Sequence, residues 1–149
     1  MSTTHRLAIF EQVSSSTAPF TLAARCRSVG YALRGVRTVV ASQHNAWIHV
    51  AATLLVVGAG VWVRVSRFEW LALVFAIVSV WAAEALNTAL ELLCDAASPQ
   101  FHPLIGRAKD VAAAAVLICA LGAVVVGLLV FAPHLASAAQ SAKARASSW

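Results

Sequence analysis

Apolar and polar positions alternate along this chain in four helical patterns. From Pro19 to about Ala41, the residues Leu22, Cys26, Val29, Leu33, Val36 and Val40 recur at alternating steps of four and three. That spacing puts them on one helical face. Arg27 and Arg34 fall opposite and Arg37 between, so residues 20–41 are predicted to form a basic amphipathic helix. Such a helix suits either a membrane surface or packing against the protein's own core. Residues 47–63 come next as a first spanning segment, with His49 and Thr53 as its clearly polar members and Trp47 and Trp62 near its ends. Tryptophans at both ends fit an interfacial belt. A second segment, 69–95, is apolar from Trp70 to Ala83 except for Ser79, then carries Glu84, Asn87, Thr88, Glu91 and Asp95. Residues 96–106 hold Pro99, Pro103 and Gly106 and read as a loop. A third segment, 108–132, contains the uncharged run Val111–Ala132, long enough for a hydrocarbon core of about 30 Å. Pro133 is expected to end it, leaving 136–149 as a disordered Ala/Ser tail. Residues 1–18 are expected to form a loose N-terminal tail.

Composition agrees with an all-α membrane protein. Of 149 residues, 60% are hydrophobic and 11% charged, and the mean hydropathy is +0.79. An ordinary soluble domain is about 25% charged, and a chain this short cannot hide so much apolar surface in one water-soluble core. Cys26, Cys94 and Cys119 are odd in number and lack CxxC spacing, so neither a disulfide framework nor a zinc site is indicated. The run Leu7–Phe10 is too short for a cleavable signal and is followed by Glu11.

Charge adds an orientation. The formal net charge is +5, but no Lys/Arg block interleaved with aromatics suggests nucleic acid, and basic segments beside membrane helices meet anionic lipid heads. Arg6, Arg25, Arg27, Arg34 and Arg37 precede the first span, and Arg107 and Lys109 flank the second loop. Only Arg64, Arg67, Lys143 and Arg145 fall on the other side of three spans. The positive-inside rule therefore places the N-terminus in the cytoplasm and the C-terminus outside.

The acids carry the candidate chemistry. Glu84, Glu91, Asp95 and Asp110 are four of the six, with Lys109 among them. At 100° per residue, Glu84, Asn87, Glu91 and Asp95 occupy a stripe roughly 80° wide. The short loop brings Lys109 and Asp110 to the same membrane face. Carboxylates there can hold Mg²⁺, a lysine can neutralise phosphate, and a carboxylate can take a proton from an attacking hydroxyl. This set suits phosphoryl transfer to a lipid alcohol; cation coupling, helix assembly or plain solvation of a helix end fit the spacing as well. There is no P-loop, since Gly30–Gly35 lacks a subsequent G-K-[ST], and no GxSxG or HExxH. His44 and His49, five apart, read as interfacial polar residues, and His102 before Pro103 as a turn residue. Ala112–Ala115, Gly122 and Gly127 suit close helix packing.

Glu84–Asp95 (E-A-L-N-T-A-L-E-L-L-C-D) and His102–Leu117 (H-P-L-I-G-R-A-K-D-V-A-A-A-A-V-L) closely resemble the small prokaryotic diacylglycerol kinases. Gly30–Arg37 resembles their surface-helix segment, and the similarity covers about residues 25–135. Asn45–His49, the Glu69–Trp70 pair, Ser98–Pro103 and Phe131–Pro133 lean toward the undecaprenol kinase branch. The resemblance implies a homotrimeric, ATP-dependent lipid kinase of the bacterial inner membrane, with sites assembled between subunits on the cytoplasmic side. It implies Glu84 as general base, Glu91 as ligand of the Mg²⁺ that accompanies ATP, and Asn87 and Asp95 as site-shaping residues, Asp95 on the nucleotide side. Lys109 would meet the phosphates, Asp110 would orient it or bind nucleotide, and Tyr31 would lie near the nucleotide. The acceptor would be undecaprenol, or alternatively diacylglycerol. One departure stands out: the family's second acidic metal ligand is here Gln43, whose carbonyl can bind Mg²⁺ but brings no charge. Gln43 is also the residue that favours a different reading, a non-catalytic membrane subunit that uses the acidic stripe for assembly or cation coupling.

Overall fold

The computed structural model describes residues 21–42, 44–98, 100 and 102–147. Among these the structure is helical, with four helices: α1 (Leu22–Ser42), α2 (His44–Val63), α3 (Arg67–Ala97) and α4 (Pro103–Ala146). The expected N-terminal tail, 1–18, and Gln43 lie outside the described residues. Three helices are long and apolar enough to cross a bilayer, over Asn45–Val63, Arg67–Ala97 and Pro103–Ala146. The chain divides into two compact units, residues 1–34 and 35–149.

In the first unit α1 starts at Thr21, whose hydroxyl accepts from the Ala24 N–H at 3.2 Å. This satisfies one of the donors that a helix start leaves open. The apolar stripe read from the sequence is exposed at Leu22, Val29 and Leu33. The Arg34 guanidinium lies over the Tyr31 ring, 4.6 Å from its centroid, a cation–π contact.

In the second unit α3 packs along α4, and α2 rests on both. Val65, Leu73 and Val130 form a buried cluster with Trp70 and Phe131 against it. The α2–α3 turn sets that packing. The Arg64 N–H donates to Val61 O and the Val65 N–H to Gly60 O, with Arg64 in the left-handed region at φ 57°. These are the paired bonds of a Schellman end. Ser66 then opens α3 with a full capping box: its N–H donates to Glu69 Oε2 (2.6 Å), and its hydroxyl accepts from the Glu69 N–H. His102 caps α4 through Nδ1, with Pro103 at the first helical position.

The expected segments appear with shifted ends. α2 begins three residues ahead of Trp47, and α3 and α4 start before residues 69 and 108. The larger correction is at the C-terminus. Pro133 does not end α4, and the segment expected to be a disordered tail is helical to Ala146. Proline removes one hydrogen bond, but its φ is helical, and the alanine-rich sequence beyond it has the best helix propensity. His134, next in line, is also fastened to α3: its Nε2 lies 3.0 Å from Glu69 Oε1. The residues after 147 lie outside the described set.

Candidate active site

Depth along α3 organises the site. At 1.5 Å per residue, its 31 residues extend about 46 Å, well beyond a core of about 30 Å. Measured from Arg67, Glu84 stands about 25 Å along the axis and Glu91 about 36 Å. Counted from Arg67, Glu84 falls within the length of a hydrocarbon core of about 30 Å, and Glu91 and Asp95 fall beyond it.

Burial has the same order. Glu84 is 1% exposed, and Asn87 and Thr88 beside it are also buried. The Thr88 hydroxyl donates to Glu84 O at 2.9 Å, the usual outlet for a threonine inside a helix. Asn87 Nδ2 donates to Glu91 Oε1 at 3.1 Å, which fixes the half-buried Glu91 carboxylate. Further out, Lys109 of α4 donates to Asp95 Oδ1 at 2.5 Å. This pair joins the two helices next to the α3–α4 loop. Asp110 is next on α4 and is exposed. Glu84, Asn87, Glu91, Asp95 and Lys109 therefore form one line, with Asp110 at its rim. Tyr31 belongs to the first unit and is exposed, and Gln43 is not among the described residues.

Reading by spacing gave His49 no partner. It is largely buried on α2, with its side chain 14% exposed and its Nε2 3.8 Å from Glu84 Oε2. Its ring meets Trp81 edge-on, with centroids 6.2 Å apart, and the Trp81 indole N–H donates to Thr53 Oγ1. His49, Thr53 and Trp81 supply the polar side chains of a groove of about 560 Å³ otherwise lined by apolar ones such as Val56, Val124 and Leu128. No spacing signal along α2 could have found this, because His49's partner lies on another helix.

A divalent cation fits the donor set. No cage of three His, Cys, Asp or Glu side chains exists among the described residues. Mg²⁺ needs none, since one or two carboxylates with phosphate oxygens and water satisfy it. The Glu91 carboxylate, held by Asn87, offers hard oxygens of that kind.

A small all-α membrane protein with a buried carboxylate below a lysine–carboxylate pair suits phosphoryl transfer to a lipid alcohol. Comparison with known sequences agrees. Residues 30–131 match the family model described as prokaryotic diacylglycerol kinase. The undecaprenol kinase of Bacillus subtilis (strain 168) is 36% identical over 109 residues, covering 73% of this chain and 89% of that protein. The diacylglycerol kinase of Escherichia coli (strain K12) is 32% identical over 115 residues, 72% of this chain and 88% of that protein. The diacylglycerol kinase of Synechocystis sp. (strain ATCC 27184 / PCC 6803 / Kazusa) is 37% identical over 111 residues, 74% of this chain and 63% of that protein. The chain belongs to the prokaryotic diacylglycerol kinase family and is a lipid kinase.

Proposed function

We propose that the protein transfers the γ-phosphate of ATP to the hydroxyl of undecaprenol, with Mg²⁺ as cofactor. The observation that carries the chemistry is the depth-ordered line from buried Glu84, through Asn87–Glu91, to the Asp95–Lys109 pair. Glu84 takes the proton of the lipid hydroxyl, which frees the oxygen to attack the γ-phosphorus. Glu91, with Gln43, would hold Mg²⁺, which would supply neutralisation of charge on the phosphate oxygens. Lys109, aligned by Asp95 and by Asp110 next to it, meets the phosphates. Asn87 keeps the Glu91 carboxylate from turning away. Most of the acceleration in such a site comes from position and charge.

The preference for undecaprenol rests on the segments Asn45–His49, Glu69–Trp70 and Phe131–Pro133 and on the similarity to the Bacillus subtilis enzyme. Diacylglycerol is the second reading, favoured by the comparable identities to the two diacylglycerol kinases. Both lipids offered together to purified protein in mixed micelles decide between them, through the ratio of phosphorylated products. We further infer a homotrimer with α1 on the membrane surface and the site on the cytoplasmic side. The apolar stripe of α1, exposed in a single chain, suits that surface. Orientation is inferred from the seven basic residues placed on the N-terminal side against four opposite.

A further inference from the structure

Three polar atoms in the buried half of the site have no hydrogen-bond partner among the described residues: His49 Nε2, Glu84 Oε1 and Asn87 Oδ1. Buried polar atoms are almost always paired, so such a group marks a place where a ligand completes the set. His49 Nε2 stands 3.8 Å from Glu84 Oε2, the other oxygen of the carboxylate whose Oε1 is unpartnered. This is too long for a hydrogen bond and close enough for one oxygen, about 2.8 Å from each, to bridge both. An alcohol oxygen can do so, because it donates one hydrogen bond and accepts others. His49 also stands in the lining of the apolar groove, where it is one of three polar side chains.

We propose that His49 is the acceptor-recognition residue of this kinase. It grips the lipid hydroxyl jointly with Glu84, its Nε2–H donating to the alcohol oxygen while the alcohol O–H donates to Glu84. The inference rests on the lipid kinase reading above. In the transfer step the alcohol O–H bond breaks and its proton passes to Glu84. A lone pair of the alcohol oxygen forms the new bond to the γ-phosphorus. The bond from that phosphorus to the bridging oxygen breaks, and its electron pair leaves with ADP. His49 keeps its Nε2 proton throughout. Its role is to hold the oxygen in one place, and an imidazole donor at this point also disfavours an apolar end group that would leave both buried atoms unpaired.

The test compares three variants with wild type in mixed micelles with undecaprenol or diacylglycerol and magnesium ATP. The Gln amide nitrogen reaches where Nε2 stands, whereas Asn is one methylene too short and Leu has no donor. His49→Gln is expected to stay within about tenfold of wild-type kcat. His49→Asn and His49→Leu are expected to lose about 10²-fold, the effect of one oriented donor, with KM for ATP within about twofold of wild type. If His49 only fills space, the order reverses: Leu is tolerated and the polar replacements lower the unfolding temperature without this split. That order, or equal turnover of all variants, overturns the assignment. Should His49→Leu fail to fold, the Gln–Asn contrast still decides. A wild type that phosphorylates neither lipid overturns the kinase reading itself, an outcome distinct from an active wild type with indifferent variants.

Discussion

Replacing the Glu84 carboxylate by an amide keeps its shape and removes its basicity. With the residue 1% exposed, water cannot stand in for the lost group. Glu84→Gln is therefore expected to lower kcat by about 10²-fold or more while leaving KM for ATP nearly unchanged, as read from lipid phosphorylation at saturating acceptor. Lys109 should split the other way. Its ammonium is held by Asp95 at the water-facing end, so Lys109→Met should raise KM for ATP about tenfold or more, the scale of one charge-assisted contact. Steady-state kinetics in ATP check it; an unchanged KM would remove Lys109 from the nucleotide site. The shared face of residues 84, 87, 91 and 95 was legible in sequence because helical period is a local rule, and Lys109 was set near it by the shortness of the loop between the two segments. His49 was not legible. Its relation to Glu84 is made by packing between α2 and α3, and no spacing within either helix encodes it.

At the scale of elements, the α2–α3 turn is where the packing tolerates least. A Cβ on Gly60 would stand 2.9 Å from Trp70 Cη2 and 3.1 Å from Cζ2, and that ring lies against Val65, Leu73 and Val130. Gly60→Ala must displace the indole from the cluster and should cost about 1–3 kcal/mol. Unfolding by denaturing detergent in mixed micelles measures it, and a neutral result would mean the ring has room to move. The spans themselves were readable from apolar runs. The end of α4 was not, because the rule that proline stops a helix weighs one lost hydrogen bond and takes no account of the residues beyond it. Here alanine propensity and the His134–Glu69 contact outweigh that loss. His134→Ala should therefore fray the extension. Faster amide exchange over residues 134–146, with unchanged exchange in α2, is the expected reading.

The whole molecule joins two chemistries that need opposite surroundings, and its orientation decides whether they meet. On the proposed function, the acceptor hydroxyl lies at the apolar boundary beside Glu84, and ATP is dissolved in the cytoplasm. The Asp95–Lys109 pair is then expected to face inward. With three spans, the α2–α3 turn, the Glu69–His134 contact and the α4 extension are expected on the outer side. That extension is substantial. The 44 residues of α4 extend about 66 Å, roughly twice the core of about 30 Å, so a bilayer cannot cover the whole helix. Single-cysteine proteins in which Cys26, Cys94 and Cys119 are replaced by Ala separate the faces. Ser98→Cys, in the α3–α4 loop, should react with a membrane-impermeant maleimide in inverted vesicles and be protected in spheroplasts. Arg64→Cys, in the α2–α3 turn, should do the reverse. The opposite pattern would put the lysine–carboxylate pair on the side without ATP, and the positive-inside count with its narrow excess would have been outweighed.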